Sequence, residues 1–502
     1  MSKYLYGASV QGIQDFIFQT NKLREIGGAS EIVEQICTKK FVIEIGSGLI
    51  ADNIIVNAAG NIKYIFEDKQ SCEAFVLKFP QKISRFAPGI TISQTVVEVK
   101  DNDKLSDAID KLEKNLKTQR NKPENPIEVG FMGLERARRT GGVGVEKPED
   151  EVLDSSIQAK IKAFEKARNK DLLKEKNEQN LYHKFFGEEL DFDKIPFDLN
   201  QITKGKSNSW IAVIHADGNG LGSLLQKLGE KLKEKTIEEA KSVFAEFSVK
   251  LDLATQTAAK NAFNSLNSSE TKYPLRPIIL GGDDITLIIR ADLAYDFTVE
   301  FLKQFETQTK EQLSSLNGIH ADFEKGLTAC AGIAYIKDSY PIHYGLHLAE
   351  QLTKKAKMAS KKIDRSLPPS SLSFYKVQSS FIEDMEDIVN KTLTAGNISF
   401  DTGPYFIHPQ SQYYSIKDLD EKLKILTEQE QSEEKVKGVS KLRQWISELY
   451  KNEGTAKFMM ERMKVVNEGF YNKLELDHAM KDNKSIIFDL LQLHSFRRNH
   501  GN

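Results

Sequence analysis

The sequence predicts an α+β fold: two βαββαβ units followed by a helical C-terminal domain. Three observations predict it. From Trp210 onward the order is strand, glycine-rich turn, helix, a second helical stretch from Ile237 to Asn264, a glycine-tipped hairpin, then helix, strand and helix. Three N-terminal segments align, in the same order and without internal gaps, with three segments of that central unit. After about residue 410 the texture becomes apolar residues at helical spacing with charged opposite faces. The implied domains are 1–140, 141–206 (a charged helical insertion), 207–410 and 411–502.

The central unit carries the chemistry. Asp217 lies in WIAVIHADGNGLGSLL, and Asp283 with Asp284 in RPIILGGDDITLIIR, so carboxylates end two apolar, strand-like runs. Between a strand ending near His215 and a helix starting near Leu221, Gly218, Asn219 and Gly220 let phosphate oxygens approach backbone N–H groups at a helix N-terminus. In the second motif Gly281 and Gly282 predict a hairpin tip that presents Asp283 and Asp284 to water and metal. Gly-Gly-Asp-Asp alone is more often an ordinary turn. Its combination with Asp217 in this order of elements points to a ferredoxin-like palm. There, converging carboxylates hold two divalent cations that neutralise the attacking and leaving oxygens of a triphosphate.

On these residues the chain resembles the GGDD palm-domain large subunits of type III CRISPR effector complexes, relatives of the GGDEF and class III nucleotide cyclases. The likeness extends through GLTACAGIAYIKDSYPI (Gly326 to Ile342), AEQLTKKAKMAS (Ala349 to Ser360), SSLSFYKV and GPYFI, and the N-terminal GIQDFIFQTNKLREIGGASEIVE. The resemblance implies that Asp217, Asp283, Asp284 and the Gly218 carbonyl hold metal. It also implies that Lys357 approaches the triphosphate, with Lys354 one turn back on the same helix able to assist. The family's His-Asp nuclease motif and its cysteine-rich zinc element are missing from this sequence, which suggests a stand-alone or divergent member.

The repeat aligns ASVQGIQDFI (Ala8 to Ile17) with ADGNGLGSLL, AAGNIKYIF (Ala58 to Phe66) with GGDDITLII, and GITISQTVVEV (Gly89 to Val99) with GLTACAGIAYI. Ser9 then stands where Asp217 stands, and Gly60 and Asn61 where Asp283 and Asp284 stand. Without acids the first unit should hold no cation. Two readings stay open for it: a nucleotide pocket, in which VQGIQ and the Gly27-Gly28 step approach phosphate, or a buttress for the second unit.

Length and composition bound the rest. At 502 residues and 40% apolar content the chain suits about three packed domains. No apolar run approaches the roughly 20 residues of a membrane span, and MSKYLYGASVQG lacks a signal-peptide pattern. Cys37, Cys72 and Cys330 are too far apart for a CxxC site and read as thiols in a reducing cytoplasm. A formal net charge of −2 gives no basic excess for tracking a nucleic-acid backbone. The densest basic patch, Arg136 to Arg139, reads as a solvated loop, the stretch from Gly142 to Asn180 as an exposed helical insertion, and Glu428 to Glu434 as a solvated loop. Met459, Met460, Met463 and Phe470 read as core. His215 reads as packed beside the site, and His343 with His347 as structural for want of a third ligand. No P-loop, G-x-S-x-G or HExxH is present.

The function these readings converge on is a metal-dependent nucleotidyltransferase or cyclase. It would take ATP or another NTP with two Mg²⁺ or Mn²⁺ ions to a cyclic nucleotide or short oligonucleotide messenger. By the resemblance, its expected partners are RNA or effector-complex subunits and a downstream messenger-binding effector, in antiviral signalling and without a membrane. The rival is a non-catalytic nucleotide-binding scaffold or sensor subunit, against which the retention of all three aspartates argues. A template-directed polymerase would need a duplex groove that has no charge signature here.

Overall fold

The computed structural model describes residues 2–36, 38–45, 49–58, 60–100, 103–121, 133–148, 151–175, 180–203, 209–266, 271–378, 385–431, 438–477 and 483–497. Near the N-terminus, β1 (Lys3–Gln11), β2 (Ile54–Ala58), β3 (Asn61–Phe66) and β4 (Thr91–Val99) form an antiparallel sheet in the order β2-β3-β1-β4. The helix Leu105–Arg120 lies on β1 and β4. Gly7 of β1 makes room for it, since a Cβ there would sit 2.5 Å from Leu112. Two short ribbons, β5 (Gly144–Glu146) with β6 (Leu153–Asp154) and β12 (Thr394–Ala395) with β13 (Ile398–Ser399), lie outside the main sheets.

The central sheet has six strands: β7 (Trp210–Asn219), β8 (Leu275–Gly281), β9 (Asp284–Arg290), β10 (Thr328–Lys337), β11 (Ser371–Lys376) and β14 (Tyr405–Phe406). Their order is β14-β11-β10-β7-β9-β8, with β10 and β11 parallel and the other pairs antiparallel. β7, β9 and β10 are apolar runs buried along most of their length, as strands beneath helices must be. The helices Ala291–Leu313 and Ile342–Ile363 both pack on them. Gly332 lets the second of these approach, because a Cβ there would lie 2.0 Å from the Ala349 carbonyl. The helix Ile237–Asn264 has the span read from sequence and opens on a capping box at Thr236 and Glu239.

Sheet register tests the repeat. The order β8-β9-β7-β10 reproduces β2-β3-β1-β4. Ser9 pairs with Asn61 and Ser93, just as Asp217 pairs with Asp284 and Cys330. Val10 donates its N–H to the Gly60 carbonyl at 2.8 Å, and Gly218 to the Asp283 carbonyl at 3.1 Å. The residues equated by the alignment occupy equivalent positions in the two sheets.

Three expectations need correcting. Gly27 and Gly28 lie in mid-helix in Leu23–Ile36, where their N–H groups serve the helix. A Cβ on Gly28 would lie 1.7 Å from the Lys160 carbonyl and one on Gly27 2.6 Å from the Arg276 guanidinium, so this step serves helix packing and not phosphate approach. The insertion is not simply exposed either. Its helix Ser155–Ala167 buries Ile157, Lys160 and Phe164 against Leu23–Ile36, and Lys160 Nζ donates to the Phe16 carbonyl at 2.7 Å. Glu428 and Glu430 belong to the helix Ile416–Gln431, where Glu430 faces His494 at 3.2 Å, while Glu433 and Glu434 lie outside the described residues.

C-terminal helices Ile416–Gln431, Gly438–Leu449, Glu453–Val466, Glu468–Lys473 and Ile487–Arg497 close around Trp445. Met460, Met463 and Phe470 are buried there, and Met459 is half-buried. Cys72 and Cys330 are buried free thiols; Cys37 lies outside the described residues. Among the described residues no helix is long and apolar enough to cross a membrane.

Candidate metal and nucleotide site

β7 runs on past His215 to Asn219, which brings Asp217 directly opposite Asp284 on β9. Cross-strand partners share a face of the sheet. Gly281 pairs with Asp284, so the hairpin tip is Gly282-Asp283, one residue later than the predicted Gly281-Gly282. Gly282 has φ +62°, the conformation wanted at the first central position of a type II′ hairpin turn. Asp283 is thereby a turn residue and Asp284 the first residue of a strand. One oxygen from each of Asp217, Asp283 and Asp284 lies within 4.8 Å of the others, which makes the three a group able to hold a metal ion.

Electrostatics favours a cation there. Burial, and then the charge of Asp217, push Asp283 and Asp284 above the usual carboxylate range. Asp284 Oδ1 is buried with no hydrogen-bond partner among the described residues. An orphaned carboxylate oxygen among like charges is poorly stable without a positive group. Lys357, on the helix Ile342–Ile363, supplies one, contacting Asp217 Oδ2 and donating to the Gly218 carbonyl at 2.8 Å. These are two of the oxygens that the resemblance assigns to metal. The residues therefore fit a divalent cation.

The glycines have distinct tasks. A Cβ on Gly218 would sit 2.7 Å from both Cβ and Oδ2 of Asp283. Gly220, at φ +79°, begins the helix Leu221–Leu232 with no side-chain cap, which leaves first-turn N–H groups for an anion. Asn219 is 1% exposed, and its amide donates to Thr328 Oγ1 and Cys330 Sγ, both at 3.2 Å, so its side chain ties β7 to β10. Gly218→Ala is expected to push Asp283 off the cluster and lower turnover roughly 100-fold, in proportion to what a misplacement of about 1 Å costs. A steady-state assay with circular dichroism as the folding control checks it.

Lys354 is exposed, and among the described residues no hydrogen bond or ion pair joins it to the aspartates. Lys357→Ala is accordingly expected to weaken NTP binding by about 1.5–3 kcal/mol, the worth of a hydrogen bond to a charged group. Lys354→Ala should change it little, as a binding titration of both variants would reveal.

The turn is fastened by groups that sequence reading missed. Gly282 N–H donates to Asp252 Oδ1 at 3.2 Å, and Thr255 Oγ1 donates to the Gly282 carbonyl at 2.6 Å. Lys184 bridges Asp252 at 3.3 Å and Glu34 at 3.1 Å, linking the first unit to the turn. The i, i+3 spacing of Asp252 and Thr255, which sets them on one side of their helix, was the available signal. His215 Nδ1 lies 3.0 Å from Thr286 Oγ1, and burial lowers its pKa, so it packs as a neutral ring. His347 pairs with Gln351 at 2.8 Å, and His343 lies against Tyr344. Arg139 is not a solvated loop residue: it holds the buried Glu25 and the exposed Glu151, each at 2.7 Å.

A cleft of about 360 Å³ lies between the two sheets. Ser9, Gly12, Gly60, Asn61 and Arg120 line it from the first unit, and Ile278 to Gly281 with Asp284 from the second. The acid-free turn and the Gly-Gly-Asp-Asp turn thus face one cavity.

Residues 210–365 match the family model of the Cas10/Cmr2 second palm domain. No curated protein matches the chain. Among solved structures, the Csm1–Csm4 cassette in complex with cA4 has a TM-score of 0.58 at 13% identity, covering 99% of this chain and 69% of that chain. The cassette with pppApA scores 0.55 at 11% identity, covering 98% and 69%. With AMPPNP the values are 0.53, 12%, 98% and 70%. At these identities the likeness concerns the fold. Residues 210–365 therefore form a palm domain of the Cas10/Cmr2 type, within a chain whose fold matches Csm1 of type III CRISPR complexes over nearly its whole length.

Proposed function

We propose that the chain is a nucleotidyltransferase that joins ATP or another NTP through attack of a 3′-hydroxyl on an α-phosphate, releasing pyrophosphate. The product would be a cyclic nucleotide or a short linear or cyclic oligonucleotide used as a messenger in antiviral defence. The observation that carries this reading is the half-buried group of Asp217, Asp283 and Asp284, of which Asp284 lines a cleft that a second, acid-free turn shares. Two bound Mg²⁺ or Mn²⁺ ions would lower the pKa of the hydroxyl and screen the triphosphate charge, so no side-chain base is required.

In this reading the chain's own residues do the positioning. Asp217, Asp283, Asp284 and the Gly218 carbonyl hold the cations. The backbone at Gly218 to Gly220 and at Gly281 and Gly282 takes the phosphates, and Lys357 turns from Asp217 to the triphosphate. The first unit, matching the second in strand order and register, is a degenerate palm that presents the acceptor nucleotide. The proposed division is a first palm to 140, an insertion to 206, the catalytic palm to 410 and a helical domain beyond.

The captured neighbours support the substrate class, since Csm1–Csm4 cassettes are described with ATP, pppApA and cA4. A partner like Csm4, RNA and a messenger-binding effector are proposed for this chain on the same likeness. Incubating the protein with each labelled NTP and Mg²⁺ or Mn²⁺ tests the proposal. Pyrophosphate release with a phosphodiester product supports it, and bound but unconverted NTP under all those conditions favours a scaffold.

A further inference from the structure

The repeat continues past the strands into the helix that follows each fourth strand. Ser93 on β4 is equivalent to Cys330 on β10, and the same offset takes Leu105, the first residue of the helix Leu105–Arg120, to Ile342, the first residue of Ile342–Ile363. It takes Arg120 to Lys357. The contacts agree: Lys357 reaches Asp217, while Arg120 Nη2 donates to Ser9 Oγ at 2.9 Å, and Ser9 is the counterpart of Asp217. Each palm therefore has a cation from the same helix aimed at the same strand position.

What differs is the charge each cation meets. Lys357 is held by a carboxylate. Arg120 contacts a neutral hydroxyl, is exposed, and has no ion-pair partner among the described residues. It lines the shared cleft together with Ser9, Gly12 and Asn61, a cleft that Asp15, Glu34 and Asp284 also line. An unpaired guanidinium at the mouth of a cavity recognises phosphate by its planar fork and needs no metal to do so. Serine at position 9 matters in the same way, because an aspartate there would clamp Arg120 and cancel its charge.

We infer that Arg120 is the phosphate-binding cation of the acid-free palm: it holds the triphosphate of the acceptor nucleotide directly, in place of the aspartates and cations of the second palm. This rests on the pairing of two palms proposed above, and goes beyond it by assigning a residue and a metal-free mode of binding.

Calorimetric titration of the full chain with α,β-methylene-ATP, whose α,β bridge cannot be cleaved in the proposed reaction, once with Mg²⁺ and once with EDTA, tests the inference. The wild type should bind two equivalents with Mg²⁺ and keep one in EDTA. Arg120→Ala should weaken the EDTA-resistant equivalent roughly 10- to 100-fold, the worth of a charge-assisted contact, and Arg120→Lys should restore part of it. Ser9→Asp should weaken it similarly while leaving Arg120 in place, which separates lost charge from lost structure. Absence of EDTA-resistant binding in the wild type, or equal EDTA-resistant binding by wild type and Arg120→Ala, would overturn the assignment. Loss of only the Mg²⁺-dependent equivalent would bear instead on the aspartate site, so the two failures are distinguishable.

Discussion

Asp217→Ala, or Asp283→Ala combined with Asp284→Ala, is expected to lower product formation by at least ~10³-fold, because metal-borne charge stabilisation supplies several kcal/mol and each 1.36 kcal/mol is tenfold in rate. The fold should not suffer. The three carboxylates crowd within 4.8 Å, and Asp283 has a pKa raised to about 6 by burial and by the charge of Asp217. A carboxyl whose folded pKa lies above its unfolded value favours folding while protonated, and that contribution is lost as pH rises through the folded pKa. In EDTA, therefore, wild-type stability should fall between about pH 4 and pH 6, and Asp283→Asn should flatten that fall. Added Mn²⁺ should raise the wild-type Tm at pH 7 and leave Asp217→Ala and the double variant unmoved. Thermal melts at several pH values, with and without Mn²⁺, check both statements. Undiminished turnover by a well-folded double variant would contradict the assignment of the site.

Lys184→Met is expected to lower stability and turnover together. It removes a cation that bridges Glu34 and Asp252, which lie 3.1 and 3.3 Å from its Nζ. Breaking a fully buried pair costs roughly 3–5 kcal/mol, but Glu34 and Asp252 are 26% and 24% exposed, so about 2 kcal/mol is expected here. Asp252 also receives the Gly282 N–H, so the Gly-Gly-Asp-Asp turn should loosen and turnover should fall more than stability alone explains. Adding Glu34→Gln should restore stability by removing one of the two repelling charges. Turnover should recover less, because Asp252 still lacks its lysine. Denaturant melts and kcat on the same three proteins separate the two effects, and a Lys184→Met variant with unchanged kcat would show that this bridge does not position the turn.

The sequence made much of this site legible because its signals are local. Near-continuous apolar runs marked β7, β9 and β10, glycine marked the turns at Gly220 and Gly282, and the gap-free repeat carried enough register to equate Ser9 with Asp217 and Asn61 with Asp284. What stayed hidden depends on contacts between distant segments. Lys184 and Asp252 are ordinary helix charges until folding sets them beside the turn, and Gly27-Gly28 looks like a phosphate step until the Ser155–Ala167 helix is seen to pack on it. The hairpin tip was misplaced by one residue because Gly-Gly can turn at either glycine. Pairing of Gly281 with Asp284 decides between them.

The measurement closest to the central claim is anomalous scattering from crystals of the chain grown with Mn²⁺ and α,β-methylene-ATP. Manganese should appear only beside Asp217, Asp283 and Asp284, with the α-phosphate of one nucleotide facing the 3′-hydroxyl of another across the cleft lined by Ser9, Gly60 and Asn61. Manganese beside Ser9 and Asn61, or nucleotide bound without metal at the three aspartates, would contradict the account.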